Sequence, residues 1–178
     1  MPRYLTYFTS FALTFAALGA GCSNPAATDS SPRDAGPSAS SAAKPIAGVH
    51  DGRPVEIAGN DTMKFSVTEI AAKPGEKLSV TLVNLGTTPK FSMGHNWVLV
   101  LPMPDVQPFL TAAAEAVTTD FVPQGTQKDR IVAATKLLGP NERDTVTFTA
   151  PTAPGRYDFF CTFPGHYQVG MRGVLIVG

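Results

Sequence analysis

Cysteine is scarce in this chain, whose 178 residues include only two, Cys22 and Cys161. A disulfide between them would join the end of an N-terminal export signal to the end of the folded region. Two isolated cysteines in such different contexts usually have different roles. We therefore predict that neither forms a structural bridge.

An excess of charge of one sign is also lacking. The 14 basic and 14 acidic residues give a formal net charge of zero, and they are scattered along the chain. Nucleic-acid binding needs a basic surface that releases counterions, and an anionic membrane surface attracts basic segments. The composition predicts no nucleic-acid partner and favours contact with proteins through an uncharged patch.

No hydrophobic run is long enough for a permanent membrane span. Residues 11–20 are apolar but too short to cross a bilayer, and small residues follow them up to Cys22. This layout predicts a secretory signal peptide over residues 1–21. A cysteine directly after the small residues resembles the bacterial lipobox, although Leu18 lies four rather than three residues before it. We expect acylation of Cys22; the alternative is a free cysteine in an ordinary signal peptide.

The predicted export signal places the protein in the periplasm or cell envelope. If Cys22 carries lipid, Ser23 in second place favours anchoring to the outer membrane. Residues 22–49, rich in Ser, Ala and Pro, are predicted to be the lipidated N-terminus and a flexible tether, because they cannot bury enough apolar surface to fold. Residues 50–178 have the size of one domain with a single core.

Alternation of apolar and polar residues dominates this domain. It is clearest at residues 63–67, 78–82 and 145–149, and we predict further strands near 95–101, 130–136, 156–161 and 172–177. Many short strands without alternating helices indicate an all-β, antiparallel β-sandwich. The alanine-rich residues 107–118 are the exception and predict one short inserted helix that closes an edge of the sandwich.

The segment from Cys161 to Met171 carries the chemistry. It places a thiol, the imidazole of His166 and a thioether within eleven residues without a charge among them, and His95 begins an earlier strand. Two His, one Cys and a weak axial Met are the ligands of a blue-copper electron-transfer site. The competing interpretations are a buried core thiol for Cys161 and a core-filling side chain for Met171.

Residues 54–178 resemble the azurins of the cupredoxin superfamily over essentially the whole domain. The resemblance is carried, in order, by residues 57–61, 93–99, 135–137, 144–148 and 159–166. It implies a Greek-key sandwich, a monomer, and a carrier of single electrons rather than an enzyme, with one type 1 copper. It also implies that His95, Cys161 and His166 are equatorial ligands and that the Gly94 carbonyl is a distant axial contact opposite Met171.

Two departures from the azurin pattern stand out. Met171 follows His166 by five positions instead of four, a longer spacing like that of auracyanin-like loops. The disulfide of azurins is absent, since the domain holds only Cys161. Stability is therefore expected to come from the core and the metal.

The surroundings of the site can also be predicted. The Asn96 side chain is expected to tie the two ligand loops together, and the backbone N–H of Phe163 to donate to the sulfur. The resemblance implies an apolar docking patch of Met63, Met93, Phe163 and Pro164, through which redox donors and acceptors approach the His166 edge. A copper store or chaperone of the cell envelope is the alternative function.

Overall fold

The computed structural model describes residues 51–178, so the predicted signal peptide, Cys22 and the tether lie outside the described residues. The strands are β1 (Arg53–Gly59), β2 (Glu69–Ala72), β3 (Lys77–Asn84), β4 (Val98–Val100), β5 (Ile131–Ala134), β6 (Arg143–Thr149), β7 (Gly155–Phe160) and β8 (Arg172–Val177). The helices are α1 (Lys90–Met93) and α2 (Gln107–Glu115), with 3-10 turns at Val117–Thr119 and Gly125–Arg130. No helix among the described residues is long and apolar enough to span a membrane.

The strands form two sheets, which confirms the predicted β-sandwich. One sheet has the order β1-β3-β6 and the other β2-β8-β7-β4-β5. The pairings of β1 with β3 and of β2 with β8 are parallel, whereas the others are antiparallel. The sheets are therefore mixed rather than purely antiparallel. Because β1 and β2 lie in different sheets, the chain crosses the sandwich before β3 returns beside β1, and such a crossover allows parallel pairing.

The main core lies between the sheets. Leu78, Val80 and Leu82 of β3 are completely buried, as their alternation predicts. The only tryptophan, Trp97, is also fully buried, with its ring 5.4 Å from that of Phe159. Its indole N–H has no hydrogen-bond partner within residues 51–178, so the indole ring itself is held by apolar packing.

A smaller apolar cluster covers the outer face of the five-stranded sheet. Val98 and Val100 pack there, whereas Leu99 between them faces the main core, because successive side chains of a strand point to opposite faces. Phe109 of α2 meets Phe160 edge to face at 5.7 Å between ring centroids. Helix α2 thus packs against the face of this sheet and not against an edge of the sandwich.

One predicted helix is shorter than expected, and one predicted strand is absent. The helix predicted over 107–118 ends at Glu115, because Ala116 leaves helical geometry with φ −88° and ψ 44°. The strand predicted at 63–67 is wrong: Met63 adopts φ 54° after a turn, and of this segment only Phe65 bridges to Gly59. Alternation there reflects the burial of Phe65, not an extended strand.

Strand direction brings the predicted site residues to one end of the sandwich. His95 lies just before β4, Cys161 directly follows β7, and Met171 directly precedes β8. Strand β7 is antiparallel to both β4 and β8. The end of β7 therefore lies beside the starts of its two neighbours.

Candidate metal centre

Three of the predicted ligands meet in a buried group. The donor atoms of His95, Cys161 and His166 all lie within 4.8 Å of one another. His95 Nδ1 and His166 Nδ1 are 3.3 Å apart, and Cys161 Sγ is 3.4 Å from His166 Nδ1. Exposure of the three residues is 3% or less. It is the one group of this kind within residues 51–178.

The orientation of His95 is determined by the end of β1. Its Nε2 lies 3.0 Å from the Asn60 carbonyl oxygen, which can only accept a hydrogen bond. Nε2 therefore carries the proton, and the lone pair of Nδ1 faces His166. Such a contact selects the tautomer that a metal requires.

The loop from Cys161 to Met171 is closed by its own backbone. Met171 N–H donates to the His166 carbonyl at 3.0 Å, and Cys161 N–H donates to the Met171 carbonyl at 3.0 Å. Gly165 and Gly170 have φ of 87° and 93°, which residues with a Cβ rarely adopt. These two glycines allow the loop to turn tightly enough to present a thiol, an imidazole and a thioether from one segment.

Met171 is completely buried beside this group. A Cβ built on Gly59 would lie 2.9 Å from the Met171 methyl carbon and 3.3 Å from Cδ2 of His95. Glycine at the end of β1 is therefore what lets these two side chains pack over the strand. Gly94, before His95, is equally crowded, since a Cβ there would lie 2.5 Å from the Lys90 carbonyl oxygen.

Asn96 and Thr162 join the two ligand segments. Asn96 Nδ2 donates to Thr162 Oγ1 at 2.7 Å and to the Asp120 carbonyl at 2.8 Å. The Thr162 N–H donates back to Asn96 Oδ1 at 2.8 Å. Asn96 directly follows His95 and Thr162 directly follows Cys161, so these bonds hold the two proposed ligands in a fixed relative position. The contact of Asn96 with the second ligand loop is the one we expected from the sequence. Thr162 was not predicted, because a threonine after a cysteine is not a recognisable sequence feature.

Burial keeps the group uncharged when no metal is bound. Desolvation raises the pKa of the Cys161 thiol to about 12, although interactions with the backbone N–H groups of Asn96 and Phe163 lower it. Desolvation and the neighbouring His95 lower the pKa of His166 to about 4. Desolvation also lowers the pKa of His95. A cation that binds here must displace the thiol proton, which couples metal affinity to pH.

The donor set fits a single soft or borderline cation. With one imidazole nitrogen pointing at another and a sulfur beside them, the three atoms converge on a common point. Thiolate and thioether favour copper, and imidazole binds both of its oxidation states. Zinc accepts the same His and Cys donors.

The residues of the predicted docking patch belong to segments that reach this end of the sandwich. Met63, Met93 and Phe163 are half-buried and Pro164 is exposed. The Phe163 ring lies 4.7 Å from the His166 ring, centroid to centroid. Phe91 was not among the predicted patch residues, although it lies in α1 with Met93 and is 82% exposed. The sequence did offer an indication of this exposure, because Phe91 directly follows the charged Lys90.

A mixed β-sandwich with buried His, Cys and Met side chains at one end defines a class of small mononuclear metal proteins. The family described as copper binding proteins, plastocyanin/azurin family, matches residues 53–178, and the chain belongs to this family.

Individual relatives agree with this assignment. Azurin of Pseudomonas aeruginosa is 39% identical over 131 residues, which cover 68% of this chain and 82% of that protein. Reduced auracyanin from Roseiflexus castenholzii is similar in structure, with a TM-score of 0.59 and 38% identity over 70% of this chain and 96% of that one. Auracyanin A of Chloroflexus aurantiacus, a "blue" copper protein, has a TM-score of 0.62 and 31% identity over 70% and 98% of the two chains.

Family membership settles the cofactor. The chain is an azurin-like cupredoxin that binds one copper ion, and its activity is that of a blue-copper electron carrier. It interacts with redox partners, as cupredoxins do.

Proposed function

We propose that this protein is an exported electron carrier of the cell envelope whose copper is held by His95, Cys161, His166 and Met171. The Gly94 carbonyl would be a further, weaker oxygen donor to the same ion in this proposal. Bound copper supplies a reversible one-electron change between Cu(II) and Cu(I). The observation that supports the proposal is that the buried donor atoms of His95, Cys161 and His166 all lie within 4.8 Å of one another.

The protein's own contribution is to hold these groups still. His95 is braced by the Asn60 carbonyl, Cys161 by the Met171 carbonyl, and the two loops by Asn96. A site held in one geometry needs little rearrangement when its charge changes by one. Full burial also disfavours the alternative of a copper store or chaperone, which would need an open and exchangeable site.

Electrons are proposed to pass through the edge of His166 to a partner that contacts the docking patch of Met63, Met93, Phe163 and Pro164. Although His166 is only 3% exposed, the exposed residues Pro164 and Gly165 lie next to it in the loop. Small interfaces suit electron-transfer encounters, which must dissociate quickly. No acid, base or nucleophile is required for this activity, so we propose no enzymatic role.

Replacing Met171 by glutamine tests the axial ligand. A thioether favours the soft Cu(I) state more than an amide oxygen does, so Met171→Gln is expected to lower the reduction potential while copper stays bound and coloured. The measurements are an absorption spectrum and a voltammogram of each purified protein. An unchanged spectrum together with an unchanged potential would show that another group occupies the axial position.

Met63→Gln and Met93→Gln are the matched controls, because they make the same change in the docking patch. We expect both to leave the copper spectrum nearly unchanged and to slow electron exchange with a redox partner. Equal effects of all three substitutions on the spectrum would contradict the division into ligand and patch.

The proposal includes a lipid anchor at Cys22 that attaches the protein to the outer membrane on its periplasmic side. Its support is in the sequence, where Cys22 directly follows the small residues at the end of the predicted signal peptide.

Substituting Cys22 tests the anchor. Cys22→Ala is expected to release the protein into the soluble fraction, whereas the unmutated protein stays with membranes until detergent is added. Cell fractionation followed by immunodetection measures this, with a detergent wash as the control. If both proteins are equally soluble, Cys22 carries no lipid.

A further inference from the structure

Lys64 makes an unusual contact for an exposed lysine. Its ammonium group donates a hydrogen bond to the carbonyl oxygen of Val169, 105 residues away in sequence. Val169 lies within the loop between His166 and Met171. Within residues 51–178 no backbone N–H donates to this carbonyl, so the lysine supplies its partner.

Gly170, the next residue of the loop, packs closely against the Lys64 amine. Gly170 has φ 93°, and a Cβ built on it would lie 2.8 Å from Lys64 Nζ. Lys64 therefore lies directly over the turn that precedes Met171. This turn lies between His166 and Met171, where the spacing is one residue longer than in the azurin pattern.

The segment from Gly59 to Lys64 contacts Met171 and its loop at two places. Gly59 packs against the Met171 methyl group inside the protein, whereas Lys64 binds the loop at the surface. Between them Met63 adopts φ 54° and donates to the Asn60 carbonyl at 2.9 Å, which turns the chain toward the loop. One short segment thus supports both sides of the region around the axial thioether.

We propose that Lys64 is a positioning residue that holds the Val169–Gly170 turn and thereby sets the position of the Met171 thioether and the reduction potential. This inference rests on the proposed function, in which Met171 is the axial ligand. Lys64 does not contact the ligand; it acts through the loop backbone.

Lys64→Met tests the proposal, because it keeps a side chain of similar length and removes the donor. In the copper-free protein we expect the amides of Gly170 and Met171 to exchange with solvent about tenfold faster, since a hydrogen bond from a charged group is lost. In the copper-loaded protein we expect a shifted potential and an altered visible spectrum. Lys64→Arg, which retains charge and donors, is expected to restore both readouts.

Lys90→Met controls for the loss of a positive charge at the same end of the protein. The Lys90 amine lies 3.5 Å from the Glu142 carboxylate, so this control also removes an ion pair. Because that ion pair does not involve the loop from His166 to Met171, we expect the exchange of the loop amides to stay unchanged. Equal potential shifts in the Lys64→Met and Lys90→Met proteins, with unchanged amide exchange, would overturn the positioning role in favour of a simple charge effect. Faster amide exchange in Lys64→Met with an unchanged reduction potential would overturn the proposed influence of Lys64 on the potential.

The assignment of Met171 as the axial ligand is tested separately. It fails if the Met171→Gln protein has the spectrum and the potential of the unmutated protein.

Discussion

Serine in place of Cys161 is expected to abolish the intense visible absorption of the copper-loaded protein while leaving a folded β-sandwich. The band is a charge transfer from a thiolate, and Cys161 is the one cysteine in the described residues. Serine has nearly the same shape, so the surrounding packing is preserved, but its hydroxyl does not provide the soft anionic ligand. The fold is expected to survive because Cys161 is one member of a large core cluster whose other side chains are unchanged.

Visible absorption and far-ultraviolet circular dichroism measure these two effects. The unmutated protein is expected to be blue and to bleach reversibly with a reductant. Cys22→Ala is the matched control: it removes the other cysteine and is expected to keep the colour. A colourless copper complex of the unmutated chain would contradict the blue-copper assignment for this sequence.

Asn96→Ala is expected to have the largest effect on stability among the site variants. The Asn96 side chain is completely buried and makes three hydrogen bonds, two as donor and one as acceptor. Truncation leaves the Thr162 N–H and the Asp120 carbonyl without these partners. The Thr162 N–H is buried, and an unsatisfied buried polar group costs about 1–3 kcal/mol, so we expect the free energy of unfolding to fall by about that amount.

The same variant is expected to change the copper spectrum, because Thr162 directly follows Cys161 in the loop. Denaturant unfolding and visible spectroscopy provide the two measurements. Ser79→Ala serves as the control, because Ser79 is also buried and its hydroxyl forms a hydrogen bond with Thr147 Oγ1 at 2.8 Å. Ser79 pairs with Pro54 near the start of β1, whereas the site lies at the other end of that strand. It is expected to cost less stability and to leave the spectrum as it is. If Asn96→Ala also left the spectrum unaltered, the tie between the loops would be structural only.

Local sequence patterns were sufficient for the class of fold and for much of the loop chemistry. Residues 78–82 alternate because one face of β3 meets the core, and the side chains at 78, 80 and 82 are buried as expected. Cys161, His166 and Met171 lie in one short segment, so their proximity follows from chain connectivity. The two glycines that shape this loop are also visible in the sequence. Alternation misled at residues 63–67, because it cannot reveal a residue with positive φ such as Met63.

Tertiary structure decided how distant segments meet. The parallel pairing of β1 with β3 places Gly59 beside Asn84 at the end of the strand, and the same end of β1 supports Met171 and orients His95. The contact of Lys64 with Val169 has the same origin. The alternation of apolar and polar residues indicates only which side chains of a strand are buried, because successive side chains point to opposite faces of the sheet. Which carbonyl faces which imidazole depends on strand order and register, and these are determined by contacts between residues far apart in sequence.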